Sequence, residues 1–438
     1  LVSLFHISTR LLMAEFYERP SVPQCLENGK LTALDIIRFY PLDNLNIVVI
    51  DAGSETIRAG YANTFQHQPQ LDIPSVVGVI EEPGPSKFYV GTENLGPQDN
   101  MRIMPVFYDG LIDNFEAFEK AVDYIVSVLK CNPNEHMFFF SEPVHQNEKR
   151  RSKILELMFE KLNAKAVYMK TNAVLQLVNA GLTSGLVIDS GASHTTVTPV
   201  SDLYALKSNA ASCDIGGNLI MDEIMVHFEE KEIQLVPSFY IKEKYPTEPD
   251  LSPVWKARSV VPEVRKSYLK WSFENIAKDF AKTMLTVNPH PLNPETDFYT
   301  KEYFSFPDGL VKGFKSSRYK IAECLFDTDK MTIPSDCVIP IQELVFSVLE
   351  STDPSFRHVL QGDMVVTGGN SQISGFQERL EREINEKLGI IKLKKGPSSN
   401  RRFDAYTGAS MMATSTRMIW NWYSAEEYKQ GDRRIHEL

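Results

Sequence analysis

The chain has 438 residues, 43% apolar and 11% aromatic, which exceeds one ordinary hydrophobic core and supplies enough apolar side chain for two. Its 57 acidic and 46 basic residues leave a formal charge of −11, which opposes unaided adhesion to DNA or an acidic membrane, since that needs a field of Lys and Arg to release counterions. No run of about 18 apolar residues reads as a membrane span, and the five scattered cysteines (Cys25, Cys131, Cys213, Cys324, Cys337) form no Cys-x-x-Cys pair, which fits a reducing compartment and offers no cysteine metal site.

Residues 1–45 carry little periodicity beyond a short helical pattern from Thr32 to Phe39, and read as an N-terminal extension expected to be disordered. Leu1 to Ala14, apolar with Arg10 inside it, weakly resembles a targeting segment. From Asn46 the pattern is strand, turn, strand (Thr56 to Ala62), then a polar stretch containing Glu81 to Ser86 and a short run at Phe88-Tyr89-Val90. A helix is predicted at Asn114 to Leu129, a buried strand at Phe138 to Phe140, a helix at Asn147 to Leu162, a strand at Ala164 to Met169 and a helix at Asn172 to Ala180. Gly185 to Ile188 opens a second half with a hairpin from Thr195 to Leu206. From about Gly216 to Ile321 the sequence turns helical and charged, broken by Pro-rich passages at Pro246–Pro253 and Pro289–Pro294. Helices are then predicted at Gln342 to Glu350, Gly375 to Leu388 and Thr407 to Trp420, with a strand at Met364 to Val366. Strand alternating with helix implies α/β layers.

Two of these strands end in the same acidic-glycine turn: Val48-Val49-Ile50-Asp51-Ala52-Gly53-Ser54 and Leu186-Val187-Ile188-Asp189-Ser190-Gly191. A third, Met364-Val365-Val366, ends in Thr367-Gly368-Gly369-Asn370. A buried strand that stops at such a turn leaves backbone N–H groups to hold phosphate oxygens, and its carboxylate can face the water shell of a bound cation. Asp and Gly are also the commonest strand-to-turn residues, so one motif alone is ordinary turn chemistry. Recurrence in each half favours a nucleotide clamp. Arg58, on the strand leaving the first turn, lies on the face from which it could reach phosphate, or form a plain surface ion pair.

Asp51 to Gly60 (DAGSETIRAG), Asp189-Ser190-Gly191, Thr367 to Gly375 (TGGNSQISG) and Thr407 to Trp422 resemble, in order and spacing, the two phosphate loops, adenosine loop and C-terminal helix of the actin family. The likeness runs from about Asn46 to Tyr428. Leu186 to Val200, Ile233 to Ile241, Trp255 to Leu285 and Phe304 to Phe326 further resemble the family's nuclear actin-related subunits of chromatin-remodelling and histone-acetyltransferase complexes, the actin-like protein 6 type. The resemblance implies an α/β, actin-like ATPase fold of duplicated ribonuclease-H-like lobes around a nucleotide cleft. It divides the chain into a first lobe at 46–179 plus 404–438, with an insertion at about 75–105, and a second at 180–403, with a helical insertion at about 216–320. It also implies ATP or ADP, with Mg or Ca, held by Asp51, Gly53, Ser54, Arg58, Asp189, Ser190, Gly191, Gly368, Gly369, Asn370 and Arg402, the carboxylates of Asp51 and Asp189 reaching the metal through water.

Against the family pattern, the acid and glycine expected after Asp-Ser-Gly are Ala192 and Ser193, and Glu55 replaces a glycine of the first loop, where an inward carboxylate would add like charge. The water-orienting glutamine corresponds to Asn172, one methylene shorter, and the nearby histidine to Thr196. No catalytic residue is assigned, and hydrolysis is expected to be weak or absent; His194 could substitute only if the hairpin register slipped by two. Between Gly78 and Tyr89 the chain is short, acidic and proline-bearing, which provides neither apolar anchor nor pairing edge for a homopolymer. A groove at the cleft foot, walled by Val178, Gly181, Met412 and Met418, is expected to receive a helicase-associated helix of a remodeller ATPase or scaffold subunit beside actin, with polar Ser415, Arg417 and Asn421 at its edge. Nucleosomes would be met only indirectly, membranes not at all, and a nuclear location rests on the resemblance. The alternatives are a slow ATPase or cytoskeletal actin-related protein, a sugar or acetate kinase of the same superfold, against which Ala192 in place of the second loop's acid counts, or a binding protein with an empty cleft.

Overall fold

The computed structural model describes residues 46–63, 68–81, 84–292, 300–333, 338–397, 400–415 and 422–431; the pattern at 32–39, the rest of the extension, Arg417, Met418 and Asn421 lie outside them. Ile47, Val48, Val49 and Ile50 are all fully buried, as a continuous apolar run must be when it forms a central strand covered on both faces. That strand, Ile47–Ala52, runs parallel to Met137–Glu142, which runs parallel to Ala166–Thr171. Antiparallel Thr56–Tyr61 and Leu71–Pro74 complete one side and Tyr423–Ser424 the other, making six strands.

The second sheet repeats the arrangement. Gly185–Ser190 is central, with Thr195–Ser201 antiparallel on one side and Met364–Thr367 parallel on the other. Asp51 therefore stands between Arg58 and Ser141 in register, and Asp189 between Thr196 and Thr367.

Helices Asn172–Asn179 and Asp404–Ala413 pack against each other between the sheets. Their Leu175, Leu177, Val178, Ala405, Tyr406 and Ala409 share one buried cluster with Val49 of the first sheet and with Val187 and Val365 of the second. At the crossing a Cβ on Gly408 would overlap the Leu175 carbonyl, so the absence of a side chain there sets the helix separation.

Asn114 and Asn147 cap the helices that follow them by accepting from the backbone N–H of Ala117 and Arg150. The Glu148–Glu156 helix then widens into a π turn at Leu157–Lys161 rather than continuing as α. The C-terminal helix runs Asp404–Ala413, beginning earlier than its apolar pattern predicts, and the predicted end at Trp420 lies outside the described residues. A helix at Pro354–Gly362, capped by Asp353 with proline in its first turn, was not evident from apolar periodicity. Helices Gly217–Glu230 and Lys266–Met284 do dominate the insertion, but it also holds two hairpins, Ile241–Tyr245 with Val254–Ala257 and Glu302–Ser305 with Val311–Phe314. The prolines at 246 and 253 flank the first hairpin's loop. Phe228, Phe280, Phe304, Phe306 and Phe314 pack edge to face beneath them.

One charged pair lies wholly inside this half. Arg379 and Glu323 are 2.8 Å apart with side chains 2% and 0% exposed, and Arg379 also donates to the carbonyls of Asn288 and His290. Truncating one member strands the other's charge in the core. Arg379→Leu should cost about 3–5 kcal/mol, read by urea denaturation; a loss below about 1 kcal/mol would show that water reaches Glu323.

Candidate functional site

The two acidic-glycine turns open on one cleft of about 870 Å³, lined by Asp51, Gly53, Ser54, Glu55 and Arg58 from the first half and by Asp189 and Gly191 from the second. Gly368, Gly369, Asn370 and Arg402 line it too. Ser190 is the exception among the nominated residues. Its hydroxyl is fully buried under the loop, 2.9 Å from Thr195 Oγ1, and accepts from Asn370 Nδ2.

Each carboxylate has its own partners. Arg58 donates to Asp51 at 2.9 Å and to Thr56 Oγ1 at 2.8 Å, so the Arg58 on the leaving strand is tied to the acid it faces in register. Asp189 Oδ2 accepts from Gln176 Nε2 at 2.7 Å and from Asn172 Nδ2 at 3.3 Å. Burial pushes the Asp189 carboxyl up from its ordinary range, the Gln176 hydrogen bond draws it back, and the nearby Asp51 charge raises it again. A group that lowers this pKa again has a place here, because a cation facing Asp189 would favour its charged form.

The glycine loops are shaped by close approach. Gly368 has φ +87°, and a Cβ on it would run into the Ser190 carbonyl and the Asp189 carboxylate. Asn370 Nδ2 donates to the Gly191 carbonyl at 2.8 Å, joining the third loop to the second. Arg402 reaches the first half, donating to Asp72 at 2.8 Å and to Thr56 Oγ1 at 3.3 Å.

Glu55 does not leave an uncompensated charge on the phosphate loop. Its carboxylate pairs at 2.9 Å with Lys278 of the Lys266–Met284 helix, whose side chain is only 17% exposed. Asn172 sits at the start of its helix with Oδ1 accepting from Ala173 N, and Thr196 and Ala192 line the cleft. The hairpin pairs Asp189 with Thr196 and Ser190 with Thr195, so there is no slip by two, and His194 lies in the turn between the strands. Val178 and Met412 are 1% and 6% exposed and belong to the core between the sheets, while Gly181 follows at φ +77°.

The sequence reading passed over Gln176, Lys278, Asp72 and Asp404. Gln176 stands four residues after Asn172, on the same helix face, and that spacing was the available signal. Asp404 is buried where the two interior helices meet the third loop: it accepts from Thr367 Oγ1 at 2.8 Å and Asn179 Nδ2 at 2.9 Å, and burial pushes its pKa up to about 7.

The donor set suits a phosphorylated ligand with a hard cation: two carboxylates, a carboxamide whose Oε1 on Gln176 is buried without a partner, and backbone turns free of side-chain bulk at Gly53 and Gly368. Comparison with known proteins points the same way. The sequence profile described as Actin matches residues 42–437. The chain is similar to Actin-related protein 4 of Oryza sativa subsp. indica, at 28% identity over 89% of this chain and 97% of that protein. It is similar to Actin-related protein 4 of Yarrowia lipolytica at 27% over 89% and 95%, and of Arabidopsis thaliana at 26% over 89% and 97%.

Asp404 generates a pH prediction. Its folded pKa lies above the unfolded value, so its contribution to stability is complete below the ordinary carboxylate range and is lost as pH rises through about 7. Between pH 5 and pH 8 the wild type should lose roughly 2–3 kcal/mol relative to Asp404→Asn. Urea midpoints at both pH values measure this, and parallel profiles for the two proteins would refute it.

Proposed function

The chain belongs to the actin family and carries the actin-like ATPase fold, and on that premise we propose that it is a non-polymerising, ATP-binding subunit of a nuclear chromatin-remodelling or histone-acetyltransferase complex, of the actin-like protein 6 type. The observation that carries the nucleotide part is the placement of Asp51 and Asp189 at matching ends of two central strands, facing one cleft. The family binds adenine nucleotide with a divalent cation. In this chain Gly53, Ser54, Gly191 and Gly368 would cradle phosphate and ribose, Arg58 and Arg402 would supply positive charge, and Asp51, Asp189 and Gln176 would hold the hydrated cation. The cation would neutralise phosphate charge; the chain's own residues would fix the ligand and hold residues 46–179 plus 404–438 against 180–403 as two lobes.

Slow or absent hydrolysis is supported by what the candidate water-positioning groups already do. Both ends of the Asn172 amide are engaged, and Ala192 and Thr196 offer no base. Absence of self-assembly is supported by the short Val76–Ile80 and Lys87–Tyr89 hairpin, whose described loop residues are polar, Gly or Pro. The chromatin-subunit context is supported by the likeness to proteins named Actin-related protein 4, and docking on a helicase-associated helix beside actin is our reading of the resemblance in the insertion stretches at 233–241, 255–285 and 304–326.

Mg-ATP at a hundredfold excess over its dissociation constant should stabilise the protein by about 2.7 kcal/mol, read as a rise in melting temperature that Asp189→Ala removes. Phosphate release should stay at the buffer background. Release well above it, abolished in the same variant, would replace the structural-nucleotide reading with a slow ATPase. A pull-down from nuclear extract should recover actin and remodeller or acetyltransferase subunits; recovery of neither would refute the assembly role.

A further inference from the structure

His194, left out of the phosphate-facing set, stands between two acids that come from different halves of the chain. Asp109 occupies the tip of the Phe107–Tyr108 and Leu111–Ile112 hairpin, in the left-handed region at φ +51°. That hairpin packs into the core under the first sheet through Phe107 and Ile112. Asp214 follows the Ala211–Cys213 strand of the second sheet, between buried Cys213 and Ile215. The imidazole is seated by shape: a Cβ on Gly110 would come within 2.7 Å of His194 Nδ1 and 3.1 Å of Cε1, so only glycine at that position leaves room for the ring.

Both carboxylates aim at the same atom. His194 Nε2 lies 2.9 Å from Asp109 Oδ1 and 3.4 Å from Asp214 Oδ1, and the three atoms all fall within 4.8 Å of one another. A ring nitrogen carries at most one proton, enough for one good hydrogen bond, so two acceptors on it leave one charge poorly compensated. Among the described residues, neither acid has another ion-pair partner. A divalent ion at their centre would satisfy all three. With bonds of about 2.0–2.2 Å, tetrahedral geometry separates its ligand atoms by roughly 3.4 Å; the Asp214 separation of 3.4 Å matches it, while the Asp109 separation of 2.9 Å is that of a hydrogen bond and would open by about 0.5 Å on binding.

We propose that Asp109, His194 and Asp214 form a binding site for a borderline transition-metal dication of the Zn²⁺ class. One imidazole with two carboxylates favours such an ion over Mg²⁺ or Ca²⁺, which prefer oxygen alone, and over soft Cu⁺. Asp109 and Asp214 are exposed, with side chains 69% and 53% accessible, so a fourth position stays open to water. The site is separate from the cation place at Asp51 and Asp189. It bridges the Asp109 hairpin to the turn following the second phosphate loop, so the ion would link the halves on the wall of the cleft whether or not nucleotide is present.

The test uses the full chain stripped with EDTA, without nucleotide. Calorimetric titration with Zn²⁺ should show one bound equivalent, Co²⁺ should develop visible ligand-field absorption, and Zn²⁺ should raise the melting temperature. Asp109→Asn, Asp214→Asn and His194→Ala should each weaken Zn²⁺ binding by more than about tenfold, with circular dichroism confirming which variants fold; the two Asn variants keep the test open if His194→Ala does not. Zn²⁺ binding that is absent, or unchanged in the folded variants, as at a cysteine elsewhere, overturns the proposal. The Mg-ATP melting shift should persist in Asp109→Asn, so its loss in wild type would count against the nucleotide reading and leave the metal site standing.

Discussion

Bringing two carboxylates to the ends of two buried strands that face each other is the constraint from which the rest of the centre follows. The Asp51 charge raises the cost of ionising Asp189, and the two acids are held by different devices. Arg58 gives Asp51 a full charge partner at 2.9 Å. Asp189 gets only neutral donors, Gln176 and Asn172, so its charge is stabilised by dipoles and stays sensitive to whatever occupies the cleft. The asymmetry makes the second acid the more ligand-responsive one, because no guanidinium is hydrogen-bonded to it and the Arg58 charge acts on it only as a minor influence from its place on Asp51. Gly368 belongs to the same constraint, since any side chain at that position would take the space beside Asp189.

Closure of the halves has several independent ties. Glu55 and Lys278 meet across the cleft mouth, Arg402 spans to Asp72 and Thr56, and the interior helices cross at Gly408 while touching both sheets. Asp404 joins the Thr367 strand end to Asn179 at the end of the other interior helix. A nucleotide in the cleft would therefore add to an arrangement that side chains already favour. Such an arrangement suits a body that keeps one shape for its partners more than one that opens at each turnover.

The central strands and their terminal acids were legible because a strand buried on both faces needs an unbroken apolar run, and such runs at 47–50 and 186–188 stop at Asp-x-Gly within a residue of where the strands end. The 115–129 helix and most of the one expected from Asn147 to Leu162 were legible from apolar periodicity, though the last turn of the second is π rather than α. What was not legible depends on distant chain. Lys278 meets Glu55 only after the 222 residues between them fold, and the sequence carries no mark of it. The insertion's first hairpin was hidden for another reason: Lys242, Glu243, Lys244 and Lys256 are exposed on short strands in which only Ile241 is buried, so neither face carries the apolar alternation that a strand normally shows. The C-terminal helix was placed late because its first turn, Asp404 to Tyr406, is held by Asp404's buried hydrogen bonds rather than by an apolar stripe.

The difference between holding a nucleotide and cleaving it comes down to which polar groups are unspent. A water in line with a terminal phosphate needs an acceptor fixed near it, and that acceptor must not be satisfied elsewhere. Asn172 gives its amide to Asp189 and its carbonyl to the helix start; Thr196 is short; His194 is drawn toward Asp109 and Asp214, away from the register position where a base would serve. Gln176 keeps a buried carboxamide oxygen without a partner while its nitrogen is fixed on Asp189, so this side chain serves the acid. The polar groups of this cleft are thus spent on one another and on its two acids, and it is that arrangement, rather than any single missing side chain, that favours holding a ligand over cleaving it.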